Sequence, residues 1–248
     1  MAKTAKTDRQ AVVQQMRTQQ KSAERRRGLA IVGVCIVVAI LIIGLAAFRP
    51  IKNWWDLRQF RDTALDQIGA PATVCAKQTT KPATGDQQHV PDGQAIFYDD
   101  VPPAFGEHYA TPDPMERKLY TDQDRPKLGT LVHNLEHGYT ILWYDQTIAD
   151  DDHAMNELRG IADKFAGTTN LRFKFKAVPW LESDGKSFPD GKHIAFTHWS
   201  AGGADVAGSG DTSKQVGVWQ FCSAISGEAL NDFMIKYPYM DSPEPGAM

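Results

Sequence analysis

Residues 128–144 read LGTLVHNLEHGYTILWY, and the change of period inside this stretch decides the fold. Up to His137 the apolar residues Leu128, Leu131, Val132 and Leu135 recur at three- and four-residue intervals. That spacing predicts a helix of about two to three turns. Gly138 stands where a helix ends in a left-handed residue. From Tyr139 to Tyr144 the chain is β-branched and aromatic on both faces, as a central strand requires.

Working outward, residues 150–165 open on acidic side chains and place Met155, Leu158, Ile161 and Phe165 at helical spacing, which predicts another helix. Residues 171–178 alternate Leu171, Phe173 and Phe175 with Arg172, Lys174 and Lys176 and read as a half-buried strand. Residues 193–199 form a further strand, residues 216–221 suit strand or helix, and residues 227–237 form a closing helix. Residues 95–98 make a short strand, and the polar segment 77–88 is a loop. Residues 101–126 carry Pro at 102, 103, 112, 114 and 126 and should wrap over the surface. Residues 201–214 are small and polar, a loop. Together these elements predict an α+β domain with a mixed or antiparallel sheet of about four or five strands.

The N-terminal part is of another kind. The chain has 248 residues, 42% apolar and 23% charged, with a net charge of −3. Residues 1–28 hold eight Lys/Arg against Asp8 and Glu24, while the stretch from Leu29 to Phe48 (LAIVGVCIVVAILIIGLAAF) has no charge. At 1.5 Å per residue those 20 apolar residues span about 30 Å, the thickness of a bilayer core. The run is uninterrupted and abuts Arg25, Arg26 and Arg27, unlike a buried soluble helix, and it is long for a signal-peptide core. The dense basic cluster keeps its side cytoplasmic, and Trp54 and Trp55 fall at the opposite headgroup level. The expected organisation is a cytoplasmic basic tail (1–28), a transmembrane helix (29–48), a membrane-proximal helix (49–70), an extracytoplasmic domain (71–240) and a tail (241–248). The periodicity of Leu57, Phe60, Ala64, Leu65 and Ile68 carries that proximal helix to Gly69.

Ordinary Gly and Pro contents exclude collagen-like and fully disordered chains, and no internal repeat is visible. The 200 residues after the apolar run are acidic, which excludes a nucleic-acid partner. Cys35 lies within the apolar run, so Cys75 and Cys222 remain as a pair in an external domain where a disulfide can persist. Joined, they would close a loop of about 148 residues, for which chain entropy sets an upper bound of roughly 5 kcal/mol. The alternative is two separate buried thiols.

The densest chemistry is His133-Asn134-Leu135-Glu136-His137. Histidines four apart share one helix face, so both imidazoles can reach one ion. The pattern also fits the H-x-x-E-H signature, in which two histidines bind zinc and the glutamate is the general base. A metalloprotease is disfavoured because the helix is short and no carboxylate third ligand follows in a helical setting. His108, in a Pro-constrained loop, is the candidate third ligand. His89 suits a turn and His198 a strand end, each with ligation as the lesser option, His153 an exposed helix surface and His193 a strand start. Glu182 and Asp184 flank a Gly-Lys turn and should be solvated. Phosphate-binding, dinucleotide-binding, nucleophile-elbow and C-x-x-C motifs do not occur.

The segments HVPDG (89–93), PPAFGEHY (102–109), LVHNLEHG (131–138) and IAFTHWS (194–200) resemble, in this order, the actinobacterial domain-of-unknown-function 3105 family. The resemblance covers about residues 70–240. It implies a membrane-anchored or secreted protein with one such domain, and it groups His108, His133, Glu136 and His137 as a unit. Where the family has a Ser-Gly-Pro-His-Tyr-like segment, this chain has Phe105-Gly106-Glu107-His108-Tyr109, and a small residue is more usual at His198.

Three functions fit these residues. The first is a module binding a divalent transition metal, zinc or copper foremost, through His108, His133 and His137. The second is a metal-dependent hydrolase with the same ligands and Glu136 as general base. The third is a metal-free structural or accessory subunit of a membrane complex. Orientation is independent of this choice: in intact cells, protease should remove a C-terminal tag and spare an N-terminal one. A C-terminal tag that survives while a surface control is digested would reverse the topology.

Overall fold

The computed structural model describes residues 2–83 and 88–247 and divides into two compact units, Met1–Asp56 and Leu57–Met248. The first unit consists of α1 (Ala2–Arg58), a helix that contains one stretch long and apolar enough to cross a membrane. Its apolar side chains, Ile31, Val32, Ile36, Leu41 and Ile43 among them, are exposed. The helix stops at Arg58, earlier than the periodicity predicts. Lys164 donates to the carbonyls of Phe60 and Arg61, and two tight turns follow. Phe60, Leu65 and Ile68 still reach the core, but from turns and a short 3-10 segment (Leu65–Gln67).

The second unit is the expected α+β domain. In chain order it contains β1 (Thr79–Pro82), β2 (His89–Val90), β3 (His108–Tyr109), α2 (Leu128–Glu136), β4 (Thr140–Tyr144), α3 (Gln146–Ala149), α4 (Asp152–Lys164), β5 (Phe175–Pro179), β6 (Ile194–Ser200), β7 (Val216–Cys222) and α5 (Gly227–Lys236). Five strands form one sheet in the order β1-β7-β6-β4-β5, antiparallel except for the parallel β4–β5 pair. β2 and β3 make a separate parallel pair with His89 opposite His108. β1 lies in the segment expected as a loop, whose residues 84–87 fall outside the described residues. It is an exposed edge ending in Lys81 and Pro82, residues that discourage further pairing. Residues 95–98 form no strand.

Alternation along β4 and β6 sorts the core onto two faces. Leu142, Tyr144, Ile194 and Phe196 meet Leu158 and Ile161 of α4 and Leu230 and Phe233 of α5. Ile141, Trp143, Ala195 and Trp199 meet Leu131, Val132 and Leu135 of α2. Asp145, Asp151 and Ser226 cap α3, α4 and α5 with side-chain oxygens on backbone N–H groups. Cys75 and Cys222 form a disulfide that ties the segment before β1 to the end of β7.

Residues 171–178 depart from the expected half-buried strand. Leu171–Phe173 is a 3-10 turn, and β5 is buried on both faces, including Lys176. Alternating charge does not mean exposure here, because each ammonium has partners inside. Lys176 Nζ meets the Asp113 carboxylate and the Pro114 carbonyl, while Tyr120 Oη also donates to Asp113. Burial pulls Lys176 below the ordinary lysine pKa, and the Asp113 carboxylate opposes that shift. Lys174 Nζ donates to the carbonyls of His137, Pro245 and Ala247 at 2.7–2.9 Å. Residues 241–247 are therefore packed onto the domain, and Asp241 and Ser242 are buried.

Removing one member of a buried ion pair strands the other, at a cost of about 3–5 kcal/mol. Asp113→Ala should lower thermal stability by an amount in that range. The double variant Asp113→Ala/Lys176→Met should recover at least half of the loss, as read by thermal unfolding of the detergent-solubilised chain. Equal losses in both variants would show that the pair carries no such penalty.

Candidate metal centre

The end of α2 is built to turn without moving. Tyr139 N donates to Asn134 O and Gly138 N to Leu135 O, the paired bonds of a glycine-terminated helix. Gly138 has φ +87°, and a Cβ there would overlap the Tyr239 carbonyl. The other face of the helix is held equally firmly. Asn134 pairs with both backbone groups of Asp113, at 3.0 and 2.8 Å. Gly129 lets α2 come close to the Tyr109 ring, where a Cβ would stand 2.8 Å from the ring. β3 thus lies directly against α2, and His108 comes beside His133.

Both rings are aimed by backbone carbonyls. His133 Nδ1 lies 2.6 Å from Tyr109 O, and His108 Nδ1 lies 2.8 Å from Gly106 O. A carbonyl only accepts, so each Nδ1 carries the proton. In a neutral ring, each Nε2 then presents a lone pair. Glu136 completes the set, 1% exposed, with Oε2 2.9 Å from His108 Nε2. That separation suits a hydrogen bond, but the alignment does not, and neither atom has a directed partner. With His108 neutral, two buried acceptors would face each other, a conflict that a proton on Nε2 or another cation between them removes. Burial pulls the His108 pKa down, but the Glu136 carboxylate and the Gly106 carbonyl outweigh it and raise the net value above an ordinary histidine. For His133 burial dominates, and its pKa is lowered.

His89, His108, His133 and Glu136 offer ligand atoms that all lie within 4.8 Å of one another. His89 is the exposed member. Its ring stacks on His133, with centroids 4.8 Å apart, and meets His108 edge-on at the same distance. The turn role expected for His89 is therefore corrected: the β2–β3 pairing sets it beside His108. The expected trio is divided. His108 and His133 share this group, whereas His137 joins Glu136 and Glu244 in a second one. The two groups touch, since the Nε2 atoms of His133 and His137 are 2.9 Å apart. Glu244 is the member that sequence reasoning missed, and His89 the one it ranked as a ligand only after a turn. Among sequence signals, only the start of HVPDG pointed toward His89.

The remaining histidines lie outside both groups. His198 is fully buried between two carbonyls, Nδ1 3.2 Å from Tyr139 O and Nε2 2.7 Å from Asp241 O. Burial pulls its pKa down. His193 Nδ1 meets Asp145 at the start of β6, and His153 is exposed on α4. Asp184 is not solvated as expected: it pairs with Arg125 at 2.8 Å, both side chains nearly buried.

A family model described as a protein of unknown function (DUF3105) matches residues 89–248, which include every residue of both groups. No curated protein and no solved structure matches the chain. With the match spanning more than half of its length, the chain belongs to the DUF3105 family.

Proposed function

We propose that this domain is a membrane-anchored metal-binding module. It holds a divalent transition metal, zinc or copper foremost, through His108, His133 and Glu136, with His89 closing the set on the solvent side. The observation that carries this reading is the 2.9 Å approach of His108 Nε2 to Glu136 Oε2, both buried without a directed partner and within reach of His133 and His89. A buried charge left in that state costs several kcal/mol. A proton on His108 can relieve the cost, and a metal ion relieves it while also using His133 and His89. Imidazole nitrogens with one carboxylate oxygen are a ligand set suited to zinc and also acceptable to copper.

Glu136 changes role in this reading. A general base stands off from the ion and reaches a bound water, whereas Glu136 Oε2 lies among the histidine nitrogens. It acts as a ligand, which favours binding over the hydrolase. We further place residues 29–48 across the bilayer, with the basic N-terminal side cytoplasmic and the domain external, where its disulfide persists.

Detergent-purified full-length chain, stripped with chelator and reloaded with zinc, should retain stoichiometric metal by elemental analysis. His108→Ala and His133→Ala should each weaken zinc binding by about 100-fold or more. Glu136→Gln should weaken it by at least about tenfold, given that even indirect contacts of a ligand shell contribute 10–100-fold. Unchanged affinity in Glu136→Gln would return that residue to the role of base. Wild-type protein that retains no zinc would favour the metal-free structural reading.

A further inference from the structure

We infer that the centre is dinuclear: Glu136 bridges the ion proposed above and a second cation held by His137 and Glu244. This rests on the metal-binding reading and extends it to a site on the other side of the same carboxylate. Glu136, His137 and Glu244 offer ligand atoms within 4.8 Å of one another, with His137 Nε2 3.5 Å from Glu244 Oε2. Glu136 is buried, its Oε2 lacks a directed partner, and a carboxylate has two oxygens. One carboxylate can therefore serve two ions about 3.5–4 Å apart, the spacing of two-metal sites.

The placement of Glu244 is specific. Its backbone N–H donates to the carbonyl of Glu136 itself, at 2.9 Å. On one side of it, Lys174 grips the carbonyls of Pro245 and Ala247. On the other, Asp241 accepts from Ser200 Oγ at 2.7 Å and from Gly203 N at 2.8 Å. A segment fixed at both ends thus brings a carboxylate to within 3.5 Å of His137 Nε2. The Nε2 atoms of His133 and His137 lie 2.9 Å apart in a hydrogen bond, which metal loading of both rings would replace. The alternative is a single ion that takes His137 as an extra ligand, and stoichiometry separates the two.

Full-length protein in detergent, stripped with chelator, reloaded with excess zinc and desalted, should carry two zinc ions per chain by elemental analysis. Glu244→Gln and His137→Ala should each reduce the count to one. Loaded with Cu(II), the wild type should give the paramagnetic resonance spectrum of a spin-coupled pair, and Glu244→Gln that of an isolated ion. One zinc per wild-type chain overturns the dinuclear inference and leaves the first site standing. No zinc at all overturns the metal-binding reading itself. Two ions in Glu244→Gln would remove Glu244 from the site, and two uncoupled Cu(II) signals in the wild type would overturn the Glu136 bridge.

Discussion

The carbonyl oxygens of Tyr109 and Gly106 determine what the cluster can do. By accepting from Nδ1 of His133 and His108, they turn Nε2 of His108 toward the buried Glu136 carboxylate and Nε2 of His133 toward His137. Without those two carbonyls either ring nitrogen could carry the proton. With them, a neutral His108 presents a second acceptor to Glu136. The rest of the domain can be understood as the support that keeps this arrangement from relaxing.

That support is non-local. Gly138 ends α2 so sharply that β4 begins two residues later, locking the helix to the centre of the sheet. Asn134 holds the loop that supplies Asp113, and Asp113 in turn neutralises Lys176 inside β5. Lys174, two residues earlier, binds the carbonyl at the end of α2 together with two carbonyls of the C-terminal segment. Helix, sheet and C-terminal segment therefore meet at two buried ammonium groups. Each replaces water with fixed oxygen acceptors, which is how a buried charge is made tolerable.

Much of this was legible wherever the signal is local. The helix, glycine and strand of residues 128–144 follow from period and turn chemistry, and the amphipathic pattern of α4 from its spacing. The Cys75–Cys222 pair could be read because the third cysteine lies in the apolar run. What stayed hidden depends on partners distant in sequence. Lys174 and Lys176 look solvent-facing by alternation, and only Asp113 and the C-terminal carbonyls make their burial possible. His89 looks like a turn residue until a two-residue parallel pairing sets it opposite His108. Glu244 sits in a Pro- and Gly-rich end that carries no periodic signal, and its own backbone N–H bonds to the Glu136 carbonyl. The apolar spacing through Ile68 was real, but turns satisfied it as well as a helix would.

The central claim is that a metal ion fills the gap between His108 Nε2 and Glu136 Oε2. Anomalous diffraction at the zinc edge from zinc-loaded crystals tests it most directly. The expected map has a peak about 2.0–2.2 Å from His108 Nε2, His133 Nε2 and a Glu136 oxygen. A map with no peak there, and with His108 and Glu136 rotated into an aligned hydrogen bond that shares a proton, would contradict it.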